Sequence, residues 1–250
     1  MAVEKTADGS ELGMDVVCRF AGHLAHELNN LLTPIIACGQ MLRDGIDKND
    51  PLYFCAEQVA DAGDRCLEFS RKLQIIGSKR SSGQVMECSS LLHEALRVVK
   101  LPAAPAIRID QSGAAVGAAG YYIKIDMEQF FFLVNELVSN AIAVMPQGGV
   151  IRVGLSANVP AEADRLPPAP NGWVELTFAD EGAGMTPEVM ARIYEPYFST
   201  HGQEREKGLG LTLVYGIVRR AGGAIHCESA PGAGTIFRLY FPRRLESDIT

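Results

Sequence analysis

Residues 20–42 read FAGHLAHELNNLLTPIIACGQML, and this stretch decides how the first part of the chain folds. Leu24, Leu28, Leu31, Ile35, Cys38 and Leu42 step by four, three, four, three and four. That rhythm is a coiled-coil seam rather than the broad stripe of an ordinary surface helix. His26 lies two residues from both Leu24 and Leu28 and so projects away from the seam toward water. His23, Asn30 and Thr33 share its face as i, i+3 and i+4 neighbours. Taken alone, such a histidine is most simply a solvated residue.

Working outward, residues 1–13 are polar and read as a loose lead-in to a helix ending near Arg43. Asp44 to Pro51 is a turn, with Pro51 placed to open a second helix. There Cys55, Val59, Ala62, Cys66, Phe69, Leu73 and Ile76 repeat the same rhythm. Two seamed helices with a short connection form an antiparallel hairpin. One hairpin leaves Leu24, Leu28, Leu31, Phe69 and Leu73 uncovered, so residues 14–78 predict a homodimer closing a four-helix bundle.

The 250 residues suffice for one large or two modest cores. A hydrophobic share of 47% with 21% charged is that of a globular chain. The net charge of −7 argues against nucleic acid or an anionic membrane as the main partner. No apolar run approaches the roughly 20 residues of a membrane span, and the polar start lacks a secretory core. The six cysteines are irregularly spaced without a C-x-x-C pair, which points to reduced thiols and a cytoplasmic protein.

Gly77 to Gly83 is the clearest linker stretch, and the boundary is set at 79–84, with a second domain expected over 85–245 and a tail at 246–250. Val85–Cys88 reads as a strand, with Ser89 capping a helix to about Lys100. Ile107–Ile109 and Tyr121–Ile125 read as strands around a Gly/Ala-rich turn. Asp126 with Gln129 resembles a capping box for a helix to Met145, on which Phe130, Phe131 and Phe132 are core. Strands at 150–156 and 173–178, a short helix from Pro187, a helix over 210–220 and a closing hairpin at 225–241 complete a two-layer α/β domain.

Four clusters there carry chemistry, each with a plainer reading. Glu136 and Asn140 share one helix face as i, i+4, where an acid and a solvated amide would be unremarkable. Asp180-Glu181-Gly182-Ala183-Gly184 follows an apolar strand and suits either a nucleotide or a tight turn. Lys207-Gly208-Leu209-Gly210 opens a helix whose free N–H groups suit phosphate. Gly232 to Thr235 is compatible with a mere hairpin turn.

The order and spacing of these clusters resemble the histidine kinase core. Asn135 to Ala141 looks like its N box, Asp180-x-Gly182-x-Gly184 like G1 and Glu195 to Thr200 like the F box. Gly208-Leu209-Gly210-Leu211 looks like G2, and Gly232-x-Gly234-Thr235-x-Phe237 like the final glycine motif. Ala25-His26-Glu27-Leu28-Asn29-Asn30 is similar to the H box of the nitrogen-regulatory and hybrid-sensor subgroups.

The resemblance implies a dimeric helical hairpin followed by a gyrase-type ATP-binding α/β sandwich with a mixed sheet. It implies ATP and Mg²⁺ as cofactors, with Asn140 and Glu136 toward the metal. Asp180 would accept from the adenine amino group, and Gly182, Gly184, Phe198, Lys207, Gly208, Gly210 and Thr235 would line the nucleotide. Residues 199–207 would be the lid. His26 would be the nucleophile, Glu27 its orienter or base, and Asn30 would support dephosphorylation of the partner, the receiver domain of a response regulator.

Three departures thin the phosphate contacts: Glu206 stands where a leading glycine is usual, His201 where a lysine is common, and Ala143 replaces a polar residue. No sensor domain precedes the hairpin, so the input is expected from another protein or from a portion missing from this chain. Two other readings compete. In a gyrase-like hydrolytic ATPase Glu136 would activate water, but the seamed hairpin bearing His26 argues against it. A dimeric phosphotransfer or adaptor protein with a weakened nucleotide site is opposed by the intact Asn140, Asp180 and paired glycines.

Overall fold

The computed structural model describes residues 8–77, 83–103, 106–111, 120–158, 160, 168–200 and 208–249. The chain forms two compact units, residues 1–80 and 81–250.

The first unit is a helical hairpin of α1 (Asp8–Gly45) and α2 (Pro51–Gly77). Helix α1 begins inside the stretch read as a lead-in, because Glu11, Leu12 and Met14 are good helix formers that extend it. The connection is fixed locally: Asn49 N–H donates to Asp47 Oδ1 at 2.8 Å and Leu52 N–H to Asp50 Oδ1 at 2.8 Å. Pro51 opens α2, where its missing N–H costs nothing.

The two helices do not meet along the apolar seam. Leu31 is 65% exposed and Ile35 50%, and Leu24, Cys38, Leu42, Cys55, Val59, Cys66 and Phe69 are exposed with them. The buried contact runs one position over, through Ala25, Ile36 and Gly39 on α1 and Ala56, Ala60, Gly63 and Ser70 on α2. These positions keep the four-three rhythm but, Ile36 apart, use small residues, so the backbones approach closely. A Cβ at Gly39 would lie 3.2 Å from Ala60 N, and one at Gly63 2.5 Å from Ile36 Cγ1. Ser70 Oγ donates to Ala25 O at 2.9 Å within this contact. Each helix therefore carries two seams about 100° apart, the inner one used and the apolar one open.

The second unit is built on a mixed five-stranded sheet in the order β2-β4-β5-β7-β6. Its strands are β2 (Ile107–Asp110), β4 (Gly149–Ser156), β5 (Trp173–Asp180), β6 (Ala224–Ser229) and β7 (Thr235–Pro242). β2 runs parallel to β4, and the other neighbours are antiparallel. A separate two-stranded sheet pairs β1 (Gln84–Glu87) with β3 (Tyr122–Ile125). The two strands read at 107–109 and 121–125 are not neighbours. They lie in different sheets, and each finds a partner distant in sequence.

Helices α3 (Cys88–Val98), α4 (Met127–Ala143) and α6 (Gly210–Arg220), with the single turn α5 (Pro187–Met190), complete the unit. Ile151, Val153, Leu155, Leu176, Phe178, Phe237, Leu239 and Phe241 of the sheet are buried, as are Phe130, Leu133, Leu137, Leu213 and Ile217 of the helices. Phe131 and Phe132 are only half-buried, so one of the three phenylalanines is full core. The cap of α3 is Glu87, not Ser89: its carboxylate accepts from Ser89 N–H at 3.1 Å and Ser90 N–H at 2.6 Å, satisfying two free donors at once. Asp126 caps α4 as the sequence suggests, accepting from Gln129 N–H at 3.1 Å. The expected tail is a short 3-10 turn, Glu246–Asp248, in which Asp248 accepts from Leu245 N–H at 2.9 Å.

Candidate active site

In the hairpin unit, His26 and Glu27 stand exposed on α1. The Asn30 carboxamide Nδ2 lies 3.3 Å from His26 Nδ1. Pro34, inside the same helix, has no N–H to give the Asn30 carbonyl four residues earlier. Thr33 Oγ1 donates to Asn29 O at 2.7 Å across this weakened turn. His26 thus sits just ahead of a break in the backbone ladder, exposed and with its Nδ1 beside the Asn30 amide.

In the second unit the sites cluster around the end of β5, the later turns of α4 and the start of α6. Asp180 closes β5, two residues beyond the expected strand end, and its Oδ1 accepts from Gly182 N–H at 2.8 Å. Burial raises its carboxyl above the usual range, against the lowering effect of the Gly182 and Thr235 backbone donors. Gly184, at φ +67°, and Gly234, at φ +75°, leave no room for a side chain: a Cβ would strike the Ala230 and Asp180 carbonyls respectively.

The loop after β5 and the hairpin turn before β7 are stitched together around the aspartate. Gly232 N–H donates to Ala183 O at 2.7 Å, and Met185 N–H to Ser229 Oγ at 2.9 Å. Ser229 Oγ in turn donates to Gly234 O at 2.8 Å and lies 3.1 Å from Thr235 Oγ1. Ser229 escaped the sequence reading, since a lone serine at a strand end signals nothing. Val144, also missed, fills the space a Cβ on Gly182 would need.

Glu136 and Asn140 lie one turn apart on α4, Glu136 only 6% exposed and Asn140 half-buried. Glu136 Oε2 occupies the place of a Cβ on Gly210, the first residue of α6. Gly208, at φ +59°, is pressed against Tyr197 and Phe198, and Tyr197 N–H donates to Gly208 O at 2.9 Å. Residues 197–198 and 208 are therefore held against one another. Lys207, His201 and Glu206 lie outside the described residues. The Phe198 ring is covered by the Arg192 guanidinium at 4.3 Å.

These donors fit the groups the sequence implies. A half-buried carboxylate among glycine turns can accept from an amino group, as adenine offers. Glu136 and Asn140 supply hard oxygen donors. Among the described residues no group of three His, Cys, Asp or Glu could hold a metal alone. A Mg²⁺ ion here would complete its shell with phosphate oxygens and water, which is its habit.

The fold and this pocket define a class. Residues 125–245 match the family model of the histidine kinase-, DNA gyrase B-, and HSP90-like ATPase. The sensor kinase CckA of Brucella abortus (strain 2308) is 30% identical over 243 residues, 93% of this chain and 25% of that protein. The sensor histidine kinase ZraS of Klebsiella oxytoca is 29% identical over 226 residues, 88% of this chain and 46% of that protein. Full-length ShkA in complex with AMPPNP shares the fold, with a TM-score of 0.63 and 18% identity over 90% of this chain and 46% of that one. These findings show a histidine kinase catalytic core with its ATP-binding domain. The chain spans between a quarter and about half the length of these curated relatives. Among the described residues no helix is long and apolar enough to cross a membrane.

Proposed function

We propose that this chain is an ATP- and Mg²⁺-dependent protein-histidine kinase that phosphorylates itself on His26 and passes the phosphoryl group to an aspartate of a response-regulator receiver domain. The observation that carries the reading is the exposed His26 ring, held at Nδ1 by Asn30, in a chain whose other unit bears the Asp180 nucleotide pocket. The AMPPNP in the complex of ShkA supports a nucleotide in that pocket.

Residues 14–78 serve as the dimerisation and phosphotransfer domain, residues 79–84 as linker and 85–245 as the catalytic domain. The open apolar seam supports a second copy closing a four-helix bundle. The irregularly spaced free thiols and a receiver-domain partner support a cytoplasmic reaction.

His26 acts as a neutral imidazole. The Asn30 carboxamide can present its oxygen by turning over, so that it accepts from Nδ1–H and leaves the lone pair on the outward Nε2. Nε2 bonds to the γ-phosphorus as the bond to the oxygen of departing ADP breaks. The ring then loses the Nδ1 proton to Glu27 or water, leaving a neutral imidazole ring joined by its Nε2–P bond to an anionic phosphoryl group. Asp180 fixes the base, and the N-terminus of α6 meets the phosphates. The bound cation supplies charge neutralisation. Positioning and that neutralisation lower most of the barrier.

The test is incubation with γ-labelled ATP and Mg²⁺. Label is expected on the protein, acid-labile and base-stable. It should be lost in His26→Gln with ADP affinity retained, and kept in His23→Gln. Label appearing only as free phosphate would make the chain a hydrolytic ATPase, and loss in His23→Gln alone would move the phosphorylated residue one turn.

A further inference from the structure

Asp180 ends β5, Ser229 ends β6 and Thr235 opens β7. The register sets them in one row, with Thr235 opposite Asp180 on one side and opposite Ser229 on the other. Residues directly opposite in antiparallel strands share a face, so the three side chains stand on one side of the sheet. Another carboxylate of this sheet, Glu175, buried on β5, is ringed by donors. It accepts from Ser156 Oγ at 3.0 Å, Asn158 Nδ2 at 3.1 Å, Tyr240 Oη at 3.2 Å and Arg238 Nη1 at 3.4 Å. The Asp180 row is wired differently.

A serine hydroxyl has one proton and two lone pairs. Ser229 spends its proton on Gly234 O at 2.8 Å and accepts from Met185 N–H at 2.9 Å. At its 3.1 Å contact with Thr235 Oγ1 it can therefore only accept, and Thr235 is the donor. Thr235 is 5% exposed, so its hydroxyl proton is held inside the protein by this one serine. The Thr235 backbone N–H is engaged as well, by the Asp180 carboxylate. Beside that carboxylate, Thr235 Oγ1 has only lone pairs left to offer. We propose that Ser229 is a positioning residue of the nucleotide site: by taking the Thr235 hydroxyl proton it keeps the Asp180 row acceptor-only, and so biases the site toward a base bearing an amino group over one bearing a carbonyl at the same place. This rests on the nucleotide reading above. Ser229 itself need not touch the base. A carbonyl oxygen set against two acceptors loses its partner, whereas an amino group has two protons to give. Without the Ser229 hydroxyl, the Thr235 proton is free to turn toward a carbonyl.

The experiment is calorimetric titration of the full chain, in Mg²⁺, with ADP and with inosine diphosphate, which differ only at this edge of the base. Wild type should prefer ADP by about tenfold or more. Ser229→Ala should narrow the ratio to about threefold or less, chiefly by tighter binding of inosine diphosphate, and Ser229→Thr, which keeps a hydroxyl, should restore it. A serine that only stitches the two loops together would weaken both nucleotides alike, and an unchanged ratio in Ser229→Ala overturns the proposal. Thr235→Val tests the same wiring without touching the serine. Losing an acceptor should cost ADP more than inosine diphosphate, and the reverse order also overturns the proposal. In the Thr235→Val background Ser229→Ala should leave the ratio where it is; further narrowing there means that the serine acts by another route, and the proposal falls. Asp180→Asn should weaken ADP. If it changes neither nucleotide, or if wild type binds neither, the nucleotide reading fails and takes the proposal with it.

Discussion

The hairpin and the catalytic unit use their glycines and apolar residues in opposite ways. In the hairpin, Gly39 and Gly63 lie within helices and let α1 and α2 approach closely, while the large apolar residues face outward. In the catalytic unit the large apolar residues are inside, and Gly184, Gly208 and Gly234 take positive φ in turns that no other residue would fit. A unit with its core filled can stand alone. A unit whose best hydrophobic surface is outside needs something to cover it.

The largest effect should come from that outer seam. Leu31→Glu combined with Ile35→Glu should convert a dimer into a monomer in light scattering, since covering each such side chain is worth about 1.5–3 kcal/mol before ordering costs. The catalytic unit should keep its own melting transition in the variant. Wild type found monomeric at micromolar concentration would remove the need for a partner hairpin.

Next come the turn glycines. Gly184→Ala must take φ +67° and meet the Ala230 carbonyl, and should cost the catalytic unit about 2–4 kcal/mol in a denaturant titration. Gly39→Ala should cost much less. Its Cβ finds Ala60 N at 3.2 Å, but helix propensity returns about 1 kcal/mol. Similar losses for the two would erase the distinction between turn glycines and packing glycines.

This difference marks what was legible in the sequence. The four-three rhythm was plain because leucine, isoleucine and phenylalanine carry it. The helix–helix contact was not, because alanine and glycine give almost no hydrophobic signal where close approach is decided. Strand positions were legible from local pattern and turns, as with Thr235 to Phe241. Their partners were not, since β2 and β3 pair with strands far away rather than with each other. Asp180, Gly184 and Asn140 were singled out through motif spacing. The seat of Glu136 on Gly210 joins two motifs that spacing treats separately, and only the fold brings them together.

A smaller effect concerns Asp180. Its carboxyl is raised by burial, so its contribution to stability is present when it is protonated and is lost as pH rises through the folded-state value. Asp180→Asn should therefore melt slightly higher than wild type at neutral pH, with the gap closing as pH falls below the ordinary carboxyl range. The same variant should bind ADP more weakly. A variant that is less stable at neutral pH would mean that the Gly182 and Thr235 donors outweigh burial. The pocket would then already be satisfied, like the Glu175 network, rather than held ready for a ligand.

The smallest effect on labelling, and the most specific on the partner, should come from Asn30. Its amide is 3.3 Å from His26 Nδ1 on an exposed helix face, and such a contact is worth on the order of 1 kcal/mol or less. Labelling of His26 in Asn30→Ala should thus change only a few-fold, since water can replace the amide at Nδ1. A phosphorylated receiver docked on the hairpin is a different case. A neutral carboxamide can orient a water for in-line attack on an aspartyl phosphate without acting as nucleophile, much as glutamine does in small GTPases. Glu27, one residue from His26 on the same exposed turn, lacks the N–H donors of an amide and cannot substitute for it. Phosphate loss from a purified phosphorylated receiver domain should accordingly slow when Asn30→Ala replaces wild type in the presence of ADP. Equal decay rates would leave Asn30 as a residue that only steadies the histidine ring.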